Sequence, residues 1–310
     1  MSKIMVVGSL IVDIAAYTPH FPVKGETALG KRLKFGPGGK GNNQATAASR
    51  AGGDVCMVSK TGKDFLQSIM NEHYKNEGMT TKYIYVDENA GTGSAIIEID
   101  DNGDNRIVVI KDANEKLTAA EVDNSEEEFK NADVLIMQLE TSMESILEGK
   151  KLAIKHGVPI ILNPAPFQEI PEGLFKDIDY LTPNETEAEF FTGISVETEV
   201  DAAKAAEKLH EMGVKNVIIT LGKRGVFFSG NGKQILVPTT DLKPVDTTGA
   251  GDAFNGGFAV AVAEKMDTET ALKFANCVAS ISVTRNGSAP SMPNRQEVEE
   301  LLERFYKIKL

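Results

Sequence analysis

The apolar positions of this chain change their period along its length. Ile4-Met-Val-Val-Gly-Ser-Leu-Ile-Val12 runs without polar alternation, as a strand buried on both faces does, and predicts a first strand over 3–7. Residues 27–35 alternate only loosely and predict a half-exposed segment. The small residues of 42–51 predict a closely packed helix closed by Gly52-Gly53. A short strand is expected at 56–59, then a helix over 64–76 that ends at Gly78. Residues 82–111 hold three strand-like runs, Tyr83–Val86, Ser94–Ile99 and Arg106–Ile110, with Asp101-Asn-Gly103 as a hairpin turn between the last two. These three predict an antiparallel insertion. Beyond residue 118 strands at 133–137, 159–162, 178–181, 216–220 and 226–229 have helices at 143–156, 184–192 and 200–212 between the first four. That alternation predicts a parallel sheet with helices on both faces. Residues 250–306 read as mainly helical. The expected fold is therefore α/β, a central mostly parallel sheet flanked by helices, in a single domain over 1–310. A small β-sheet lid drawn from about 13–35 and 82–111 would cover a pocket at the strand C-terminal ends.

With 310 residues the chain is long enough for one large α/β domain and a small appendage. Tryptophan is absent and aromatics make up 6%, so the core is expected to be aliphatic. A net charge of −12 argues against a nucleic-acid partner, which needs clustered Lys and Arg. It leaves room for one nucleotide held by backbone amides. Cys56 and Cys277 are too few for a disulfide framework and lack metal-ligand spacing, which points to a reducing, cytoplasmic setting. His20, His73, His156 and His210 show no paired spacing and suggest no zinc site. The N-terminal apolar run ends at Asp13 without a cleavage pattern, so it reads as a strand and not a signal peptide. No stretch approaches a membrane span.

The segment Asp246-Thr-Thr-Gly-Ala-Gly-Asp252-Ala-Phe-Asn-Gly-Gly257 places small residues just before an apolar helical run. Gly249, Ala250 and Gly251 bring N–H groups to a helix N-terminus, where the partial positive charge suits an anion. Asp252 falls in the same first turn. A carboxylate beside an anion hole suits phosphoryl transfer: the amides stabilise the transferred group and the carboxylate takes the proton of the attacking hydroxyl. An ordinary first-turn acid on a glycine-rich turn is the plainer reading, and the glycines on both sides weigh against it.

Gly36-Pro-Gly-Gly-Lys-Gly-Asn-Asn-Gln44 contains a formal Gly-x-Gly-x-x-Gly. It does not follow the first strand, as a dinucleotide site would, and Lys40 precedes Gly41 where a P-loop needs Ser or Thr. Two readings remain for this segment alone. Either backbone and the Asn43 carboxamide approach a polar ligand such as a sugar, or Asn42 or Asn43 merely caps a loop–helix junction.

Together, Gly38-Gly-Lys-Gly-Asn-Asn43 and Asp246-Thr-Thr-Gly-Ala-Gly-Asp252 resemble the paired signatures of the ribokinase (PfkB-type) family of carbohydrate kinases. Met137-Gln-Leu-Glu140, Leu162-Asn-Pro-Ala-Pro166, Thr182-Pro-Asn-Glu-Thr-Glu187, Thr220-Leu-Gly-Lys-Arg-Gly225 and Val283-Thr-Arg-Asn-Gly287 with Pro290 and Ser291 resemble it in the same order. The resemblance implies ATP-dependent phosphorylation of a sugar's primary hydroxyl, with ribose first and deoxyribose, fructose or a nucleoside as alternatives. A catalytically silent sugar- or nucleotide-binding protein is the rival from another class. The resemblance implies Asp252 as base with Gly249, Ala250 and Gly251 as the anion hole. It implies sugar contacts at Asp13, Gly39, Lys40, Gly41, Asn43, Glu140 and Asp252, and nucleotide contacts at Asn184, Thr220, Gly222, Gly225, Gly251 and Asn276. Asn184 and Glu187 would organise Mg2+ through water, although the same pair reads as a capping box. Asp246, Thr248, Ser282, Arg285, Gly287 and Ser291 match the positions that hold a monovalent cation, K+, several through carbonyls. A homodimer through the lid is implied as well.

Two positions depart from the family pattern. Ile11 stands where Gly-Ser-x-Asn-x-Asp usually supplies Asn, and Lys111-Asp-Ala-Asn114 lacks the usual Gly before Ala-Asn. Both weaken ribose as the substrate while sparing the phosphoryl-transfer machinery. The second falls near the expected lid hinge.

Overall fold

Strand β1 (Lys3–Val7) alternates its buried side chains between two cores. Ile4 and Val6 enter one, Met5 and Val7 the other. The structure is a computed structural model that describes residues 2–310. After β1 the chain leaves its sheet, and Ile11–Tyr17 forms β2 of a second, smaller sheet. One unbroken apolar run thus serves two sheets. Asp13, expected just past the first strand, lies instead within β2.

β3 (Arg32–Gly38), α1 (Lys40–Arg50), β4 (Asp54–Gly62), α2 (Phe65–Glu77), β5 (Tyr83–Asp87), β6 (Gly93–Ile99) and β7 (Asn105–Ile110) follow. Helix α1 ends with Ala51 as its C-cap, one residue before Gly52. The small sheet has the order β3-β2-β6-β7. Tyr83–Val86 is not part of it: β5 pairs parallel with β4 at the edge of the large sheet, in the register Val58↔Tyr83. A half-buried parallel edge strand and an antiparallel one carry the same alternation, so its apolar pattern left the partner undetermined.

The second half contributes α3 (Ala119–Asp123), α4 (Glu126–Phe129), β8 (Val134–Gln138), α5 (Met143–His156), β9 (Ile160–Asn163), β10 (Tyr180–Leu181), α6 (Glu185–Thr192), α7 (Glu199–Glu211), β11 (Asn216–Thr220), β12 (Val226–Gly230), β13 (Lys233–Val237), α8 (Ala250–Ala263), α9 (Thr268–Ser282) and α10 (Arg295–Leu301). The large sheet runs β13-β12-β11-β10-β9-β8-β1-β4-β5. It is parallel from β5 to β11, and β12 and β13 add antiparallel at the other edge. One face is covered by α1, α8 and α9 through Ala45, Phe258 and Phe274, the other by α5 and α7 through Ile146 and Leu209. No helix among the described residues is long and apolar enough to cross a membrane.

One close approach sets the site. A Cβ on Gly256 would lie 2.5 Å from Ala47 Cβ and 2.6 Å from the Gln44 carbonyl. Only glycine lets α8 pack this tightly on α1. The crossing brings the first turn of α8, with Asp252, against Asn43 and Gln44 at the start of α1. The C-terminal ends of β8, β9 and β11 present Gln138, Asn163 and Thr220 at the same edge of the sheet, where ligands of open α/β folds bind.

Candidate active site

Asp252 is buried in the first turn of α8. Its Oδ2 accepts from Asn43 Nδ2 at 2.9 Å and its Oδ1 from Gln44 Nε2 at 3.0 Å. Gln44 Nε2 also lies 3.1 Å from Asn163 Oδ1, and Gln44 Oε1 accepts from Gln138 Nε2 at 2.7 Å. Asn163 donates to the Thr182 carbonyl at 3.0 Å. The Thr182 hydroxyl meets Asn255 Oδ1 at 2.6 Å, and Asn255 donates back to the Gly251 carbonyl at 2.8 Å. A chain of carboxamides from α1, β8, β9 and α8 therefore fixes the orientation of one carboxylate. Sequence reasoning missed Gln44, Gln138, Asn163 and Asn255 as supporting residues. Asn163 carried a signal, a polar side chain at the end of a buried apolar strand, whereas Gln44, Gln138 and Asn255 matter through contacts that only the folded chain makes.

No side chain caps the start of α8, and Gly249 at its N-cap is left-handed, with φ of 76°. The Ala250 N–H is turned to the Thr247 carbonyl at 3.2 Å. The N–H groups of Gly249 and Gly251 have no acceptor among the described residues. These are the orphan donors of a helix start, and they favour an anion.

On one side of Asp252, Asn43 Oδ1 is buried with no partner among the described residues. Leaving such an acceptor unpaired costs about 1–3 kcal/mol, so the position suits a ligand hydroxyl. Glu140 Oε2 accepts from the Ser9 hydroxyl at 2.6 Å and from the Lys40 N–H at 2.8 Å. Ser9 Oγ in turn accepts the Gly41 N–H at 3.2 Å. Asp13 accepts from the Ser288 hydroxyl at 3.2 Å. Burial pushes its pKa up to about 6, with Glu140 and Asp252 adding to the rise and Ser288 opposing it. For Lys40 burial acts downward, but the charges of Asp252, Glu140 and Glu187 outweigh it and its pKa is raised. Lys40 shares a cavity of about 170 Å³ with Asp252, Asn163, Glu187, Gly249 and Gly251.

On the other side lies a second cavity, of about 380 Å³. It shares Asn184, Thr220, Thr247, Ala250 and Gly251 with the first. Gly222, Gly225 and Asn276 line it, against an apolar wall that includes Val226, Leu242, Ala279 and Val283. Asn276 Nδ2 donates to the Pro238 carbonyl at 2.8 Å and meets Tyr306 OH at 2.9 Å, which leaves its Oδ1 without a partner among the described residues. Asn184 and Glu187 cap α6 reciprocally: Asn184 Oδ1 accepts the Glu187 N–H at 2.8 Å and Glu187 Oε2 the Asn184 N–H at 2.9 Å. Burial raises the Glu187 pKa against the opposing Asn184 bond and Lys40 charge, and Asp252 adds to the rise. The capping role anticipated for this pair is therefore present, and both residues also line the smaller cavity.

Residues 1–295 match the model of the pfkB family carbohydrate kinases. The chain belongs to this family. It is 41% identical over 298 residues to the ribokinase of Haemophilus influenzae, covering 96% of this chain and 97% of that protein. It is 35% identical over 300 residues to the deoxyribokinase of Salmonella typhi, covering 96% and 98%. Its fold matches the structure of Arabidopsis thaliana ribokinase complexed with ribose and ATP, with a TM-score of 0.91, 34% identity and coverage of 98% and 99%.

In this carbohydrate kinase most side chains of the expected cation set are occupied within the protein. The Ser282 hydroxyl donates to the Ala279 carbonyl at 2.8 Å and that of Ser291 to the Ser288 carbonyl at 2.7 Å, while Arg285 pairs with Glu297. What they offer a cation is main-chain oxygen. Asp246 accepts N–H groups from Thr248 and Gly287, both at 2.9 Å. Burial alone would raise its pKa, but these bonds and Lys34 hold it below the usual value. Ile11 is 2% exposed and packs under Gly39, its Cβ 3.1 Å from where a Cβ of Gly39 would be. It lines neither cavity. Asp112 has a positive φ of 45°, a conformation that glycine adopts without strain.

Proposed function

We propose that this carbohydrate kinase transfers the terminal phosphoryl group of ATP to the primary hydroxyl of ribose, giving ADP and ribose 5-phosphate. The observation that carries the reading is the position of Asp252. It sits in the cavity next to the nucleotide-sized one, beside unpaired helix-start amides and a buried unpaired acceptor. Asp252 takes the proton of the attacking hydroxyl, and the oxygen forms its bond to phosphorus as the bond to the ADP oxygen breaks. The amides of Gly249 and Gly251 hold the phosphoryl oxygens, joined by Ala250 once its N–H leaves Thr247. Asp13, Asn43 and Glu140 receive sugar hydroxyls, with the backbone of Gly39 and Gly41 alongside and Lys40 balancing the charge of the carboxylates.

Asn184, Thr220, Gly222, Gly225, Gly251 and Asn276 cradle the nucleotide. The carboxylate of Glu187 and the side chain of Asn184 would hold Mg2+ through water, and the ion would neutralise charge on the ATP phosphates. Asp246, Thr248, Ser282, Arg285, Gly287 and Ser291 form the loop set for K+. The small sheet acts as a lid in a single 1–310 domain. Its exposed Ile96, Ile107, Val108 and Val109 suit a homodimer, whose interface would cover them. The setting is cytoplasmic.

Deoxyribose is the second reading, because apolar Ile11 stands where the family pattern usually supplies Asn. A coupled assay of ADP release with ribose, 2-deoxyribose, fructose and adenosine tests the proposal. Highest kcat/KM on ribose supports it; no sugar-dependent ADP release would leave only a silent binding protein.

A further inference from the structure

Ser288 has none of the roles described above, yet it touches both halves of the site. The residue is 4% exposed. The hydroxyl lies 3.2 Å from Asp13 Oδ2 and 3.5 Å from the Pro37 carbonyl. A hydroxyl has one proton to give, and the nearer, charged acceptor is the stronger. Ser288 therefore donates to Asp13. The two carboxylate oxygens of Asp13 have no other hydrogen-bond partner among the described residues. One face of the carboxylate packs on Gly38, where a Cβ would lie 2.4 Å from Oδ1 and 2.5 Å from Oδ2, and Ser288 supplies its one hydrogen bond.

The other side of Ser288 belongs to the phosphoryl-transfer end. The preceding residue, Gly287, donates its N–H to Asp246 Oδ2 at 2.9 Å. The Cα of Ser288 stands 3.3 Å from the point a Cβ would occupy on Gly249, the N-cap of α8. Its carbonyl accepts the Ser291 N–H at 3.1 Å and the Ser291 hydroxyl at 2.7 Å, which holds the turn leading to α10. Ser288 is thus wedged between the start of the helix that carries Asp252 and a strand of the small sheet. The bonded partners are 275 residues apart in the chain.

We propose that Ser288 is a positioning residue for the acceptor sugar, holding the Asp13 carboxylate against the α8 loop so that Oδ1 meets a secondary hydroxyl of the sugar. The inference rests on Asp13 contacting the acceptor, as proposed above. It goes further in naming a residue that never touches the sugar yet sets its affinity, and in tying β2 to the loop beside the anion hole. Loss of the hydroxyl removes the only hydrogen bond that fixes the carboxylate on Gly38 among the described residues, so the effect falls on sugar binding and leaves the transfer step and the nucleotide cavity alone.

The test is steady-state kinetics on the full chain with the best sugar of the panel, for Ser288→Ala, Ser288→Thr, Asp13→Asn and the Ser288→Ala/Asp13→Asn pair. Ser288→Ala is expected to raise the sugar KM about tenfold, with kcat and the ATP KM within about twofold of the parent. Ser288→Thr, which keeps the hydroxyl, is expected to restore the sugar KM to within about threefold. In the Asp13→Asn background, Ser288→Ala is expected to add less than about twofold. An unchanged sugar KM in Ser288→Ala overturns the proposal. So does a parallel change in sugar KM, ATP KM and kcat, or a Thr variant that melts like the parent but binds sugar as poorly as the Ala variant. Asp13→Asn alone reports on the underlying reading: if its sugar KM is normal, Asp13 is not a sugar contact, whatever Ser288 does.

Discussion

Asn43 donates to Asp252 across 2.9 Å, and the two residues lie 209 positions apart in the chain. The amide nitrogen is committed to the carboxylate, so the buried Oδ1 is what remains for a ligand. One side chain thereby orients the proposed base and would offer an acceptor to the proposed sugar. Asn43→Ala removes both functions at once. Its kcat/KM for the sugar is expected to fall roughly 100-fold, with kcat and KM both affected, while ATP binding by calorimetry stays near parent. A change confined to KM would mean that Asn43 binds sugar without orienting Asp252.

Asp252→Asn tests the base directly. The amide is isosteric and can still accept one hydrogen bond from the carboxamide network, so the fold is expected to survive. Proton abstraction is lost, and positioned bases of this kind contribute about 10²–10⁴-fold. The expectation is a fall of that size in kcat, read by ADP release, with nucleotide binding retained. Turnover within tenfold of the parent would remove Asp252 from its role.

As a proposed sugar contact, Asp13 would give sugar use a pH dependence. Its folded pKa is raised to about 6 by burial, helped by Glu140 and Asp252 and opposed by Ser288. The carboxylate accepts a sugar hydroxyl best when ionised, so kcat/KM for the sugar should fall as pH drops through about 6 and level off above it. The same shift acts on stability in the opposite sense. Between about pH 4 and 6 the folded state holds a proton that the unfolded chain has released. The favourable contribution present below pH 4 is therefore lost as pH rises through about 6. Asp13→Asn should flatten the acid limb of the rate profile and this part of the melting-temperature profile. An acid limb that persists in Asp13→Asn would assign it to another group.

The fold and the site were legible to different depths, for physical reasons. The β8 to β11 half was readable because buried strands and amphipathic helices have distinct periods, and α2, α5, α6 and α7 fall close to where those periods put them. β5 was misassigned because strand pairing is a tertiary choice that apolar alternation does not encode. β13 was missed because Lys233–Val237 is largely exposed and carries little apolar signal. Asp252, Asn43 and Glu140 stand out as polar residues beside glycines or strand ends. Gln44 and Gln138 do not, since their importance lies in a 2.7 Å contact between α1 and β8 that only the folded chain creates. Ser288 was invisible for the same reason.

Ile11 is where sequence and structure together set the sharpest test of substrate choice. It follows Leu10 into β2, shares a face with Asp13 two residues on, and packs beneath Gly39 with almost no exposure. An apolar side chain there offers no partner to a sugar hydroxyl, so it does not reward the 2-hydroxyl that separates ribose from 2-deoxyribose. Ile11→Asn supplies one amide at that point. The ratio of kcat/KM for ribose to that for 2-deoxyribose is expected to rise about tenfold, since sites that hydrogen-bond a hydroxyl discriminate strongly against its absence. The substitution also buries a polar group among β2, β3 and β6 at a cost of about 1–3 kcal/mol in the sugar-free protein, so a lower melting temperature that ribose restores more than 2-deoxyribose is expected with it. A ratio that does not move, with the melting temperature lowered equally in both sugars, would reduce Ile11 to a packing residue and leave the choice of sugar to Asp13, Asn43 and Glu140.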